Sequence, residues 1–389
     1  MRLLVVTNDY PPTVGGIQSY VRDFLATLDG SGVEVYVLAS TQNAEEAAEY
    51  DRQLAANITA IRYPVRVMLP TLRLRKRMQS IITEYDIDTV WFPAAAPLAV
   101  LAPAARAAGA SRVVASTHGH EVGWSMLPGA RQVLRRIGRS VDTLSYISNY
   151  TRGRLDTAFG GPEWCALPSG VDLHTFRPLD KQDVLRVRAQ HGLPPDAPLV
   201  TCVSRLVKRK GQDILIDVWP EIVRTHPDAQ LLIIGEGPYG SNLSRRREAS
   251  SAKNNIRLLG RRPFSDMVEI LAASTVAAMP CRTRGKGLDV EGLGIVYLEA
   301  QACGIPAIAG KSGGAPETVD HGRTGFVVDG RDPRDVINRL RQLLDDPELR
   351  TQYGRAGREA MEDQWSWEQR AVTFRQFLHM PSDPRSSTK

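Results

Sequence analysis

The stretch PSGVDLHTFRP, residues 168–178, decides the fold, because one pattern of segments is written out before it and again after it. Before it, RLLVV (2–6), VEVYVL (33–38), DTVWF (88–92), RVVAS (112–116) and DTLSYI (142–147) read as buried strands. Amphipathic segments at 16–28, 71–85 and 129–139 lie between them and read as helices. After it the pattern restarts with APLVTCVS (197–204), AQLLIIG (229–235), IRLLG (256–260), TVAAMP (275–280) and IPAIAG (305–310). Near-continuous apolar runs alternating with helices imply parallel sheets covered on both faces. Two successive sets imply an α/β chain of two Rossmann-like, doubly wound domains, and 389 residues is too long for one ordinary core. The expected division is a first domain at 1–170, a linker at 171–196, a second domain at 197–364 and a final helix at 365–380 crossing back to the first. The Pro and Gly density of HGLPPDAP (191–198) marks the boundary. The tail PSDPRSSTK reads as disordered. Ligands of open parallel sheets bind beyond the carboxyl ends of the strands, so the two domains are expected to face a deep interdomain cleft.

Composition narrows the function classes. With 42% apolar and 24% charged residues the chain reads as a soluble globular enzyme, and no run of ~18 apolar residues predicts a membrane span. The first apolar run is too short for a secretory leader. Cys165, Cys202, Cys281 and Cys303 share no metal-like spacing and read as reduced thiols of a cytosolic protein. A formal charge of +6 predicts an anionic partner. Low aromatic content and the lack of a recognisable signature argue against nucleic acid, which leaves an acidic membrane surface or a phosphorylated substrate.

The strand-end loops carry the candidate chemistry. NDYPPTVGGIQSY (8–20) puts Gly15 and Gly16 at a helix start, where a phosphate could approach backbone N–H groups, or where a turn simply needs glycine. SRLVKRKGQDILI (204–216) places Arg205 and Lys210 between a strand and a helix. Arg as a bidentate fork and Lys as a point charge suit a diphosphate, whereas Lys208 and Arg209 read as a solvated loop. GEGPYG (235–240) matches G-x-G-x-x-G, yet the next strand end reads GRRP, with Arg261 and Arg262 where a dinucleotide site wants an acid. That disfavours NAD and leaves an NADP-dependent oxidoreductase as a rival. His118 in STHGHEVGW (116–124) is a substrate-contacting group or a structural histidine, and H-x-H without a third ligand is a weak metal signal. KSGGAPETV (311–319) could cradle a phosphate or a sugar. In the helix at 71–85, Arg73, Arg75, Lys76 and Arg77 alternate with apolar residues, which fits anionic lipid or an ordinary solvated face. RQVLRRIGR (131–139) adds four more arginines to the same half. Last, DVEGLGIVYLEAQACGIP (289–306) sets Glu291 before a glycine turn and Glu299 on the helix that follows, where an ionised carboxylate among apolar neighbours needs a partner.

Taken in order, GGIQSYVRDF, SRLVKRKG, GEGPYGSNL, GLGIVYLEAQACGIPAIAG and GGAPETV resemble the retaining glycosyltransferases of the GT-B fold, family 4, with Glu291 and Glu299 at their E-x7-E spacing. STHGHEVGWSMLPGARQ and RTRGKGLDVEGLGIVYLEAQACG resemble, more narrowly, the bacterial mannosyltransferases that act on phosphatidylinositol monomannoside. The resemblance covers nearly the whole chain. It implies GDP-mannose as donor, an anionic phosphoinositide glycolipid as acceptor, no metal or other cofactor, and a peripheral place on the inner face of the cell membrane. It also implies that Glu299 accepts from ribose hydroxyls, Glu291 from sugar hydroxyls, and that the N–H groups of Gly294 and Ile295 meet the diphosphate or sugar. Arg205 and Lys210 would clamp the diphosphate, backbone near Arg262 would meet guanine, His118 the sugar and Gly16 the phosphate. The nearest alternative is the same fold with a UDP-sugar and a soluble acceptor.

Overall fold

The computed structural model describes residues 1–380; the tail PSDPRSSTK lies outside the described residues. The chain divides into two compact units, Met1–Ser169 with the segment from Trp367 onward, and Gly170–Ser366.

The first unit holds seven strands: β1 (Arg2–Thr7), β2 (Glu34–Ser40), β3 (Ile58–Tyr63), β4 (Thr89–Phe92), β5 (Arg112–Ser116), β6 (Thr143–Tyr146) and β7 (Glu163–Ala166), in the order β3-β2-β1-β4-β5-β6-β7. The second holds β8 (Leu199–Val203), β9 (Gln230–Ile234), β10 (Ile256–Gly260), β11 (Val276–Met279), β12 (Ala307–Gly310) and β13 (Gly325–Val328), in the order β10-β9-β8-β11-β12-β13. Neighbouring strands pair in parallel throughout both sheets. In each sheet the strand order reverses beside the first strand, between β1 and β4 and between β8 and β11, the place where doubly wound sheets open a crevice.

Ten of these strands are the apolar runs read from the sequence, and β3, β7 and β13 are not. All three lie at sheet edges. Central strands are buried on both faces, as in Leu3, Leu4, Val5 and Val6 of β1, none of which is exposed. Edge strands β3 and β7 keep polar residues, as in ITAIRY and EWCA, so they lose the signal of a buried run, whereas GFVV of β13 is mostly buried.

Residues 171–196 are not a separate connector but part of the second unit. Their helix, Lys181–Gln190, starts on the Asp180 side chain, which accepts from the N–H of Asp183. Its buried Arg188 donates to the carbonyls of Ala273, Pro194, Pro195 and Ala197 at 2.7–3.3 Å. Those four acceptors satisfy the guanidinium, and the prolines that signal a boundary serve to present carbonyls to it.

The last helix, Trp367–Phe377, belongs to the first unit. Phe374 is fully buried, with its ring 4.9 Å from that of Phe24 and 5.0 Å from that of Trp91. Arg112 of β5 holds the helix end by donating from Nε and Nη2 to the Phe377 carbonyl at 3.1 and 2.9 Å. Arg112→Ala is expected to lower stability by about 2 kcal/mol, the usual worth of hydrogen bonds from a charged donor to a partly buried carbonyl. Urea unfolding measures the loss and limited proteolysis should then cut near residue 367 first; an unchanged midpoint and cleavage pattern would show that packing alone holds the helix.

Candidate active site

At the carboxyl edge of the second sheet, β8 runs through Ser204–Val207 into a short turn, Lys208–Lys210, and then the helix Gln212–Val223. Its direct neighbour β11 runs into a loop that ends at the helix Ile295–Ala302. These two loops flank the point of strand reversal, and their side chains meet. Lys210 Nζ lies 2.7 Å from Glu291 Oε2, and Arg209 Nε lies 3.7 Å from the same oxygen. Arg209 Nη1 also donates to Asp289 Oδ1 at 3.3 Å. Glu291 is only 7% exposed, so its carboxylate depends on these cations.

Glycines seat this cluster. A Cβ on Gly313 would lie 1.8 Å from the Glu291 carbonyl oxygen, and the φ of +56° is one that side chains resist. The N–H of Gly314 donates to that carbonyl at 3.0 Å, and the N–H of Glu291 donates to Ser312 Oγ at 3.2 Å. The glycine loop after β12 therefore grips the main chain of Glu291. In GEGPYG, a Cβ on Gly235 or Gly237 would strike the carbonyl of Ser204 or Leu206. The Leu206 N–H donates to Glu236 O at 2.9 Å, so this motif packs against the Arg205 segment, a use that needs no dinucleotide. Gln212 Nε2 fastens the same segment through Ser204 Oγ and Arg205 O, at 2.7 and 3.1 Å.

Arg205 is exposed, and its guanidinium pairs with no acid among the described residues. Gly294 caps the helix Ile295–Ala302, which buries Tyr297, Leu298, Ala300, Gln301 and Ala302. Glu299 lies one turn from the exposed Ile295, on the same face. It keeps partial exposure, contrary to the burial expected from its apolar neighbours in sequence. No described residue donates a hydrogen bond to its carboxylate, and desolvation pushes that carboxyl up to about 7. Arg262 is exposed on the turn after β10, two strands from β8, which sets the two strand ends ~10 Å apart.

Sequence reasoning missed Arg209, which is ion-paired instead of solvated, and its partner Asp289; the pair Asp289 and Glu291, two carboxylates two residues apart, was the available signal. It also missed a buried brace beneath the turn. Arg282 pairs with Asp213, whose second donor is the Tyr239 hydroxyl at 3.0 Å. Burial works to raise the Asp213 carboxyl, but the Arg282 bond and charge outweigh it and hold the carboxyl below its usual range.

In the first unit, His118 follows β5. Its Nε2 lies 2.7 Å from the Pro93 carbonyl, which can only accept, so Nε2 carries the proton. The ring stands edge-on to Tyr20 with centroids 4.6 Å apart. Burial pushes the imidazole down to about 4, so it is neutral at neutral pH. The N–H groups of His118 and Gly119 both donate to Oε2 of the buried Glu121 at 3.1 Å, which fixes the loop. Gly16 opens the helix Gly16–Ala26 in the open, with nothing within 4 Å of an added Cβ, so the fold imposes no steric need for glycine there. The helix Leu72–Glu84 buries Leu74, Met78, Ile81 and Ile82 and exposes Arg73, Arg75, Lys76 and Arg77, none paired with a described acid. Val67, Leu69 and Leu72 just before them are 58–74% exposed. Beyond the carboxyl ends of β1–β3 lies a cavity of about 350 Å³ lined by Tyr10, Ser40, Thr41, Asn43, Arg62 and Arg66, which the sequence did not reveal.

Residues 14–175 match the family described as Glycosyltransferase Family 4, and residues 183–360 match Glycosyl transferases group 1. The GDP-mannose-dependent monoacylated alpha-(1-6)-phosphatidylinositol monomannoside mannosyltransferase of Corynebacterium glutamicum is 56% identical over 94% of this chain and 95% of its own. A GDP-mannose-dependent alpha-(1-6)-phosphatidylinositol monomannoside mannosyltransferase of Mycobacterium tuberculosis is 48% identical over 97% and 98%. The chain belongs to this mannosyltransferase family. The transferase has the expected GT-B fold: sucrose-phosphate synthase of Thermosynechococcus elongatus superposes with a TM-score of 0.79, covering 97% of this chain and 98% of its own at 21% identity. A glycosyltransferase of Rickettsia africae does so at 0.80 and 19% identity, over 97% of this chain and 98% of its own.

Glu299 makes stability depend on pH with a definite sign. Below its ordinary value of 4.5 the carboxyl is protonated in folded and unfolded chain alike. As pH rises from 4.5 to about 7 the unfolded chain ionises while the folded chain resists, so stability falls across that window and levels off above it. Glu299→Gln is therefore expected to exceed the parent protein in stability at pH 8, by at most about 3 kcal/mol discounted for partial exposure, and to match it at acid pH. Urea unfolding across that range reads the gap, and a gap independent of pH would contradict the assignment.

Proposed function

We propose that this hexosyltransferase moves mannose from GDP-mannose to a phosphatidylinositol monomannoside, forming the dimannoside with retention at the anomeric carbon. The observation that supports the reading most is the Lys210–Glu291 contact at the strand reversal of the second sheet, in a chain 56% identical to such an enzyme over 94% of its length. Arg205 and Lys210 hold the diphosphate and stabilise the charge that develops on departing GDP. The N–H groups of Gly294 and Ile295 add the positive end of a helix. Glu299 accepts from ribose hydroxyls, backbone near Arg262 meets guanine, and Glu291 accepts from mannose hydroxyls. Gly16 permits close approach to phosphate. His118, being neutral, orients a sugar hydroxyl and does not act as an acid.

The bond from the anomeric carbon to the β-phosphate oxygen breaks, and its electron pair leaves with GDP. The acceptor hydroxyl bonds to the same face of that carbon, and its proton passes to the departing phosphate oxygen. Arg205 and Lys210 supply the charge that this step requires, so the scheme calls on no metal.

The acceptor reading rests on the first unit. The cavity bounded by Arg66, Tyr10 and hydroxyl side chains suits an anionic polyhydroxylated head group. Exposed Val67, Leu69 and Leu72 beside Arg73, Arg75, Lys76 and Arg77 suit an anionic bilayer, with apolar tips at the acyl boundary and cations at the head groups. That pairing supports a peripheral place on the inner face of the cell membrane. No helix of the described residues is long and apolar enough to cross a membrane.

Incubation with GDP-mannose and mannosylated phosphatidylinositol should add one hexose mass to the lipid, and Arg205→Ala with Lys210→Ala should lower turnover at least ~100-fold. Transfer from UDP-glucose instead, or an unimpaired double variant, would overturn the reading. Vesicles containing acidic lipid should sediment with the protein at low salt. Exchange of Arg73, Arg75, Lys76 and Arg77 for Gln should release it, and equal retention of both proteins would remove the helix from the membrane contact.

A further inference from the structure

Glu291 has two cationic partners, and under the proposed chemistry one of them is needed elsewhere. When Lys210 turns to the diphosphate, its hold on Glu291 at 2.7 Å weakens. Arg209 is differently placed. Its guanidinium is shared between two acids of one loop, with Nε toward Glu291 and Nη1 toward Asp289. Arg205, by contrast, pairs with no described acid and has its fork free for phosphate. We propose that Arg209 is a positioning residue, held by Asp289, that keeps Glu291 aimed at the donor hexose while Lys210 serves the diphosphate; the inference rests on the mannosyltransfer reading.

The surroundings are built for such a role. Arg284 and Asp289 close a small hairpin through N–H to carbonyl bonds of 2.8 and 3.2 Å, so the Asp289 carboxylate is presented from a fixed frame two residues before Glu291. The main chain of Arg209 is fixed as well, since its carbonyl accepts from the Arg282 N–H at 2.8 Å. Arg282 is itself anchored to buried Asp213. The Arg209 side chain is 29% exposed and the Glu291 side chain 9%, so their contact is shielded from bulk screening. A point charge such as lysine can face one of the two acids, whereas the planar fork of arginine reaches both.

The test compares Arg209→Gln, Arg209→Lys, Asp289→Asn and the double variant Arg209→Gln with Asp289→Asn in GDP-mannose transfer, with GDP affinity measured separately. Displacing a group that orients the reacting sugar should lower kcat roughly 10- to 100-fold, while GDP affinity stays within about threefold. Arg209→Lys should recover part of kcat. Asp289→Asn should show the same split, and the double variant should lose no more than the worse single one, as residues acting in one unit do. A fall in GDP affinity as large as the fall in kcat would make Arg209 a phosphate ligand and overturn the proposal, as would full kcat in Arg209→Gln. A crystal structure of Arg209→Gln supplies an arm independent of turnover. Glu291 shifted with its loop supports the proposal even if the parent protein fails to use GDP-mannose, which would sink the mannosyltransfer reading alone; Glu291 unmoved overturns it.

Discussion

A carboxyl group that is 7% exposed needs partners for its oxygens, and Glu291 finds two cations on a loop some eighty residues earlier in the chain. The sheet makes that meeting possible. Because strand order reverses beside β8, the strand that follows β10 in sequence, β11, is placed directly against β8. Loops leaving adjacent parallel strands start ~4.8 Å apart, within reach of a Lys or Arg side chain. The third contributor is the next strand over: the loop after β12 brings Gly313 and Ser312 under the main chain of Glu291. Three neighbouring strand ends thus set one acid, and the acid in turn fixes where Lys210 and Arg209 point.

How legible this was from sequence depends on whether a residue's role is local. The buried strands announce themselves because burial on both faces forces unbroken apolar runs; two doubly wound units follow from their repetition, and the GT-B assignment from the resemblance. Edge strands β3 and β7 escaped because partly exposed residues carry no such demand, whereas β13 is mostly buried and was not read. Glu291 and Glu299 were visible by spacing. Arg209 was not, since "KRK" reads as a solvated loop until the fold brings Asp289 alongside. The glycines of KSGGAPETV and GEGPYG are visible as special without showing why: both fit the close approach of one loop to another's backbone.

The same distinction separates the charges. A net charge of +6 says that cations are in excess, not which of them are committed. Arg209, Arg282 and Arg188 are bound into the fold by acids or carbonyls. Arg205 and the four cations of the helix Leu72–Glu84 pair with no described acid. Cations held in place by protein partners organise the architecture, whereas those left without one retain full donor capacity for phosphate groups. Ion pairing, not composition, thus shows which arginines are committed to the fold, while Lys210, paired with Glu291 and proposed to serve the diphosphate, shows that a paired cation can still be placed for a ligand.

Burial acts on His118 and Glu299 with one consequence. Desolvation disfavours whichever form is charged, so the imidazole moves down to about 4 and the carboxyl up to about 7. The imidazole is therefore neutral and a poor proton donor at neutral pH, whereas a carboxyl brought to about 7 is poised to exchange a proton there. Arg205, Lys210 and Arg209 bring their cations to the strand reversal. Cations concentrated at a strand reversal suit the proposed departing diphosphate, a leaving group able to accept the incoming hydroxyl's proton itself. Under the proposed chemistry the departing phosphate takes the proton itself, which leaves Glu299 to bind the ribose.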